Sequence, residues 1–363
     1  MQINSKRLTA AFSTVAAICP THSPIESLKY VRLTASNDQL RLYATNHETA
    51  ITHTVECETG GSLDVLVRPD RLIAFLRGID DNVTLDTNGD TLVVIVGDLT
   101  TQLEAPPAGS LADLTLAESG RPYTLDAADL KRALRVCQSA AAREGGRFSL
   151  HGVCFETGED LTVVATDAAR MAIVPLPYER DGEIDGDSRE VIPLPAVKLL
   201  VSALPVDGEC KLSFWLRGGV TIEAGSTVIH TRTIDGKFPR WQAVADSAGE
   251  TQLSMPAGPL LDLITRVAVT TSVESQAVAC VFASDGITLK TKAADVGETV
   301  CHLSAPAPAT ECTLSLNADY LCDAIKALGK DNEISVAYVD GEQAVWFGLD
   351  DDTRYCLMPL STD

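Results

Sequence analysis

The chain has 363 residues and a formal net charge of −21; 45 % of its residues are hydrophobic and 22 % charged. That is a globular composition able to bury sizeable cores; it excludes a disordered chain, and with no run of 18 apolar residues it argues against a transmembrane helix. The length suggests two or three domains, and the charge on its face argues against nucleic acid, because phosphate-binding proteins are usually basic.

Read from the N-terminus, Lys6 and Arg7 followed by "LTAAFSTVAAIC" have the look of a short signal peptide. Within this stretch Leu8, Ala11, Phe12 and Val15 stand at i, i+3, i+4 and i+7, one apolar face of a helix. "YVRLTASNDQLRLYAT" then reads as strand, turn at Asn37 and Asp38, strand. A short strand "DVLVR" leads into a second helix with Leu72, Phe75, Leu76 and Ile79 on one face. "VTLDTNGDTLVVIV" carries Asn88 and Gly89, a strong hairpin signal, and "APPAGSLADL" has linker composition.

The order then repeats. Leu130, Ala133, Leu134 and Cys137 form a helix face, and "GVCFETGEDLTVVAT" reads as a hairpin. "EVIPL" precedes a helix with Val197, Leu200, Val201 and Leu204. After the linker-like "ADSAGE" come Leu260, Leu263, Ile264 and Val267, the hairpin "ACVFASDGITLKTK", and the strand "CTLSL". A helix with Leu321, Ala324, Ile325 and Leu328 and the strand pair "ISVAYVDGEQAVWFGL" close the series. The supposed signal sequence is thus the first copy of a repeated helix. The chain divides at about residues 120 and 248 into three α+β units, each with two helices and about eight strands.

The chemistry of a catalyst is missing from the usual motifs. There is no GxxxxGK[ST], GxSxG, HExxH or GxGxxG, and the six histidines are unclustered. Ten cysteines include no CxxC pair, which gives zinc and dithiol redox chemistry little support; they read as reduced thiols of a cytoplasmic protein. "DGEIDGDSRE" begins like a calcium loop but lacks the closing glutamate and flanking helices, and reads as a solvated acidic loop. In "VVATDAARMAIVPLPY" the strand breaks at residues 166–170, where Asp167 reads as a turn residue bonding its own backbone.

Three motifs carry a resemblance. "TVVATDAARMA" (162–172) is similar to a strand–ATDGHRLA segment, "TIDGKFPRW" (233–241) to VDGRFPDY, and "YCLMPL" (355–360) to a terminal YVVMPM. Together with the threefold repeat they resemble the bacterial DNA polymerase III beta subunit (beta sliding clamp) family over the whole chain. The resemblance implies a DNA clamp fold in a head-to-tail homodimeric ring of six domains, here 1–120, 121–248 and 249–363. It implies helices lining a hole that passes duplex DNA without reading its sequence. It implies a processivity factor without catalysis, cofactor, metal or membrane, whose partners are the replicative polymerase and the clamp loader, held through short peptide motifs.

The charge distribution accommodates that reading. The six helical stretches 5–19, 68–79, 126–138, 195–204, 258–268 and 317–330 hold twelve Lys/Arg and six Asp/Glu, leaving about −27 for the rest. Basic helices and acidic strands suit a ring that admits DNA inside and repels it outside. The DNA-facing set is then Lys6, Arg7, Arg71, Arg77, Lys131, Arg132, Arg135, Lys198 and Arg266, with Arg147 and Phe148 on a loop that the resemblance assigns to DNA contact.

Carried over position by position, the family's peptide pocket is Leu150, Thr166, Ala168, Arg170, Met171, Pro239, Val244, Met358, Pro359 and Leu360. It accepts a Gln-x-x-Leu-like peptide ending in a hydrophobe or aromatic. The bland alternative is that Met171, Val244 and Met358 are plain core. Ala168 and Ala169 stand where the family has Gly–His. At the subunit junction the resemblance gives Leu103, Val269 and Thr270, with Thr101 and Thr270 standing where larger apolar residues are common. Two other readings compete: a clamp-like paralogue acting as an adaptor without stable ring closure, and a hydrolase on a β-rich scaffold.

Overall fold

The structure is a computed structural model that describes residues 1–58, 60–114, 120–144, 148–158, 160–179, 188–272, 276–293 and 296–360, with the side chain of Phe148 left out. Its first part runs β1 (Gln2–Asn4), α1 (Ser5–Ala16), β2 (Val31–Ser36), β3 (Gln39–Thr45), β4 (Thr49–Glu56), β5 (Leu63–Val67), α2 (Pro69–Leu76), β6 (Asn82–Thr87), β7 (Thr91–Val96) and β8 (Leu99–Glu104). The second runs β9 (Tyr123–Asp126), α3 (Ala127–Ala140), β10 (Gly152–Thr157), β11 (Leu161–Thr166), β12 (Arg170–Leu176), β13 (Ser188–Pro193), α4 (Leu194–Ala203), β14 (Glu209–Phe214), β15 (Gly219–Ala224), β16 (Thr227–Arg232) and the one-turn α5 (Gln242–Ala245). The third runs β17 (Thr251–Pro256), α6 (Ala257–Val267), β18 (Ala277–Ala283), β19 (Gly286–Ala293), β20 (Gly297–Leu303), β21 (Cys312–Asn317), α7 (Ala318–Leu328), β22 (Glu333–Ala337), β23 (Val345–Gly348) and β24 (Arg354–Leu357). The order strand, helix, four strands, helix, three strands recurs three times, as the sequence pattern predicts.

Local chemistry explains where these elements start. The Asn4 side chain accepts from the Lys6 and Arg7 amides at the head of α1. Asp126 does the same for Ala128 and Asp129 at α3, and Asn317 for Tyr320 at α7. Each satisfies a donor that the first helical turn leaves open. Pro69 opens α2, where its missing N–H costs nothing. Asn37 and Asp38 both take positive φ, 51° and 57°, the requirement of a two-residue type I′ hairpin turn.

The expected helix faces are the buried ones. Leu8, Ala11, Phe12, Val15, Leu72, Leu76, Leu130, Ala133, Leu134, Cys137, Val197, Leu200, Leu204, Leu260, Ile264, Val267, Leu321, Ala324, Ile325 and Leu328 are all buried. Phe75, Ile79, Val201 and Leu263 are half-buried at the margins of those faces.

The sheets join what the sequence separates. Two four-stranded sheets run β1-β6-β7-β8 and β20-β19-β18-β21. Two eight-stranded sheets run β5-β2-β3-β4-β16-β15-β14-β9 and β13-β10-β11-β12-β24-β23-β22-β17. Each large sheet is therefore four strands of one repeat continued by four of the next. The chain accordingly parts into two compact units. Residues 1–131, 178–182 and 195–233 carry the first large sheet and the β1–β8 sheet; residues 132–177, 183–194 and 234–363 carry the other two. In the second unit the seam is β12 against β24, with Met171 opposite Cys356. That seam brings the turn before β12 beside the tail after β24.

Candidate functional site

The turn at residues 166–170 consumes its own polar groups. Asp167 Oδ1 accepts from the amides of Ala169 and Arg170, each at 3.0 Å, and its Oδ2 from Arg170 Nε at 2.9 Å. Thr166 Oγ1 donates to the Arg170 carbonyl at 2.7 Å and accepts from the Ala168 amide at 3.1 Å. Asp167 is a turn-former, as its residue type predicts. Ala168 holds φ at 79°, a left-handed conformation that costs an L-residue about 1–2 kcal/mol. Ala168→Gly removes that strain but frees the unfolded chain, so a net gain of about 0.5–1 kcal/mol is expected. A higher urea midpoint at unchanged slope is the readout, and a lower midpoint would contradict it.

Arg170 is the hub of the site. It is 5 % exposed, its Nη1 donates to Asp323 of α7 at 2.8 Å, and its guanidinium stacks 4.2 Å from the Tyr320 ring centre. Burial opposes its charge, but Tyr355, Asp323 and Asp167 around it outweigh that and hold the guanidinium pKa above its ordinary value. Beside this hub lies a cavity of about 380 Å³ lined by Ala141, Ala142, Arg143, Glu144, Leu150, Asp167, Arg170 and Tyr320. A second, of about 430 Å³, continues past Tyr320 along α6 and α7 to Gln276 and Lys326.

The three distant motifs meet here. Leu150, Met171, Ile234, Phe238, Ala245, Trp346 and Cys356 belong to one buried cluster, with Trp241 packed against it. The tail follows β24 past the turn: the Met358 amide donates to the Ala169 carbonyl at 2.8 Å, and the Leu360 amide to the Ser315 carbonyl at 2.7 Å. Met171 is core, 4 % exposed, as its bland reading had it. Val244 and Met358 are not; they are 38 % and 43 % exposed. Pro239, Pro359 and Leu360 are half-buried. Nothing local in the sequence marks Tyr320 and Asp323, whereas Trp241 closes the motif TIDGKFPRW.

The cations on the helices divide into two groups. Lys6 pairs with Asp80, Arg7 with Glu56 at 3.6 Å, Arg71 with Asp70 at 3.7 Å, and Arg132 with Asp351 at 2.8 Å. Lys131 donates to the Leu204 carbonyl at 2.6 Å. Arg77, Arg135, Lys198 and Arg266 are exposed and make no ion pair among the described residues. Arg147 lies outside the described residues, as does the Phe148 side chain, although the Phe148 backbone opens a short 3-10 helix, Phe148–Leu150. The acidic loop at 181–190 falls mostly outside them too.

Each four-stranded sheet ends in a strand with one neighbour that carries exposed apolar residues, β8 in one and β20 in the other. β8 pairs only with β7, and β20 only with β19. Leu99 on β8 is 57 % exposed, and Val300 on β20 is 55 % exposed. Val269, next to β20, is 75 % exposed, whereas Leu103 on β8 is half-buried. Thr270 Oγ1 lies 2.6 Å from Thr291 Oγ1 and 2.8 Å from Thr299 Oγ1, so its hydroxyl is satisfied within its own chain. No His/Cys/Asp/Glu cluster that could hold a metal occurs among the described residues. No helix among them is long and apolar enough to cross a membrane. Burial pushes the thiols of Cys154, Cys210, Cys280 and Cys356 up to about 12, which denies them thiolate character at neutral pH.

Comparison with known proteins agrees along the full chain. The DNA polymerase III beta subunit family matches with its N-terminal domain at residues 1–114, its central domain at 124–240 and its C-terminal domain at 247–361. The chain is 24 % identical to the beta sliding clamp of Chlamydia muridarum over 327 residues, 89 % of this chain and 88 % of that one. It is 23 % identical to the beta sliding clamp of Escherichia coli K12 over 301 residues, 78 % of each. Its fold is similar to that of the sliding clamp from Bartonella birtlesii bound to griselimycin, with TM-score 0.90, 22 % identity, 100 % of this chain and 99 % of that one. It is also similar to the sliding clamp from Bacillus subtilis, with TM-score 0.89, 18 % identity and the same coverage. With all three of its domains matched, in order and nearly end to end, the chain belongs to the DNA polymerase III beta subunit family.

Proposed function

We propose that this chain is a DNA sliding clamp: two copies close head to tail into a ring around duplex DNA and tether the replicative polymerase and other proteins carrying a short peptide motif. The observation that carries the reading is the convergence of the 166–170 turn, the 234–245 segment and the C-terminal tail on one patch. That patch leaves Val244 and Met358 exposed. Exposed hydrophobes beside a few fixed polar groups suit a peptide: the hydrophobes supply affinity and the backbone sets register. The chain acts as three domains, 1–120, 121–248 and 249–363, in the cytoplasm, as a non-catalytic accessory subunit.

Ring closure is supported by the exposed apolar residues on the edge strands β8 and β20. An unpaired strand edge is a template for another strand, and β8 of one copy against β20 of the next would cover Leu99 and Val300. Leu103, Val269 and Thr270 belong to that junction. The helix cations supply sequence-independent phosphate contacts, foremost Arg77, Arg135, Lys198 and Arg266. The exposed ion pairs of Lys6, Arg7 and Arg71 are each worth only about 0–1 kcal/mol, so phosphate can compete for those cations. Such contacts weaken steeply with salt, which suits a protein that slides.

Solution mass tests closure. Light scattering after gel filtration at low micromolar concentration is expected to give a dimer of about 77 kDa, twice the chain's 38.6 kDa. A monomer would favour an adaptor with the clamp fold but no closed ring.

A further inference from the structure

We infer that Glu156 is a positioning residue for the groove: its carboxylate holds α5, and with it Val244, in place. This rests on the peptide-groove reading above. Helix α5 is one turn, Gln242–Ala245, far below the length at which a helix stands alone. The segment before it, residues 233–241, belongs to no helix or strand. Its position must therefore come from anchors on other elements. At its start the Ile234 amide donates to the Val191 carbonyl at 2.8 Å, and Ser149 Oγ donates to the Lys237 carbonyl at 3.2 Å.

At the α5 end Ala245 and Trp241 pack into the buried cluster, and the polar anchor is one side chain. Glu156 Oε2 accepts from Trp241 Nε1 at 2.7 Å, and Oε1 accepts from Gln242 Nε2 at 2.7 Å. Oε1 also accepts from Arg189 Nη2 at 2.8 Å, its cross-strand neighbour on β13. Glu156 sits on β10, one residue beyond the fully buried Phe155, and its side chain is 19 % exposed. A carboxylate that is mostly out of water and engaged by two donors of one segment makes short, directional, charge-assisted bonds. Glu156 touches no ligand surface itself; it acts through Trp241 and Gln242. Arg189 pairs with the same oxygen, Oε1, that accepts from Gln242.

That geometry separates positioning from simple stabilisation. The probe is a fluorescent pentapeptide with glutamine first, leucine fourth and phenylalanine fifth, titrated by anisotropy against the intact chain. Trp241→Phe keeps the ring in its packing but loses the donor. Glu156→Leu loses both arms, and Glu156→Gln keeps one acceptor. Since a bond to a charged acceptor is worth at least about one factor of ten, Trp241→Phe and Glu156→Leu are each expected to weaken Kd about tenfold, with Glu156→Gln between them and wild type. Arg189→Ala, which takes a donor from the same carboxylate but leaves both bonds to Trp241 and Gln242, is expected to change Kd less than about twofold while lowering Tm. Equal losses in Arg189→Ala and Trp241→Phe, or unchanged Kd in Trp241→Phe, would overturn the inference. Should Glu156→Leu fail to fold, Trp241→Phe and Arg189→Ala still decide it. Absence of binding by the wild-type chain would instead remove the groove reading itself, and the inference with it.

Discussion

Replacing Arg170 by alanine is expected to lower the unfolding free energy by about 3–5 kcal/mol, the cost of breaking a buried ion pair from one side. The guanidinium is 6 % exposed at its side chain and faces Asp167, itself 15 % exposed, and Asp323. Without it Asp167 keeps its two backbone donors but loses its counter-charge. Tyr320 loses the cation stacked on its face, an interaction worth about 0.5–2 kcal/mol. Two elements separate as a result, because Arg170 is what ties the turn before β12 to α7. Arg170→Lys is expected to recover less than half the loss, since a point charge cannot serve two carboxylates and a ring together. Urea unfolding with a common slope is the measurement. A loss below about 1 kcal/mol in Arg170→Ala would show that the site holds together without its hub.

Met358→Ala is expected to weaken binding of the same fluorescent pentapeptide by about 30-fold or more, the scale of an interface hot spot of 2 kcal/mol, while leaving the solution mass and Tm nearly unchanged. The side chain is 43 % exposed, so its removal opens no buried cavity. Its backbone bond to Ala169 persists in the variant, because that bond uses the amide. An exposed methionine supplies soft, adaptable apolar contact. A core substitution such as Met171→Ala would lose stability as well, by about 2–5 kcal/mol. The pair therefore separates a binding surface from the packing beneath it. An unchanged peptide affinity in Met358→Ala would remove the tail from the groove.

Much of this layout is legible in residue order because local rules dominate it. A helix face repeats every 3.6 residues whatever surrounds it, and Phe12, Leu134 and Ile325 each lie where that period puts them. The Asn37–Asp38 turn and the Asp167 turn are equally local: the first is set by two positive φ angles, and the Asp167 side chain acts within three residues. What the sequence hides is pairing at a distance. Thr49 and Thr231 meet hydroxyl to hydroxyl at 2.8 Å across 182 residues, where β4 and β16 fuse two half-sheets into one. Arg170 reaches Asp323 across 153 residues, and no pattern in either neighbourhood announces the other. Tyr320 reads as an ordinary helix residue until Arg170 lies over it.

The candidate sites divide along the same line. Family motifs locate the turn, the 233–241 segment and the tail, because each is a contiguous string. They do not tell which side chains end up exposed: Met171 sinks into the core while Met358 stays out. Nor does residue type tell which helix cations are engaged. Arg132 faces Asp351 and Thr353, whereas Arg135, one turn on, is exposed without an ion pair among the described residues. The difference lies in the β23–β24 loop, more than 200 residues away.

The proposed ring would hold DNA topologically, and retention on circular against linear DNA distinguishes that hold from simple affinity. Protein loaded onto nicked circular duplex with a clamp loader and ATP is passed through a gel-filtration column in high salt, before and after the circle is cut once. Co-elution with the circle and release on cutting is the result expected of a closed ring. Equal retention on circular and linear DNA, or loss from both in high salt, would contradict it and mark the contact as ordinary electrostatic binding.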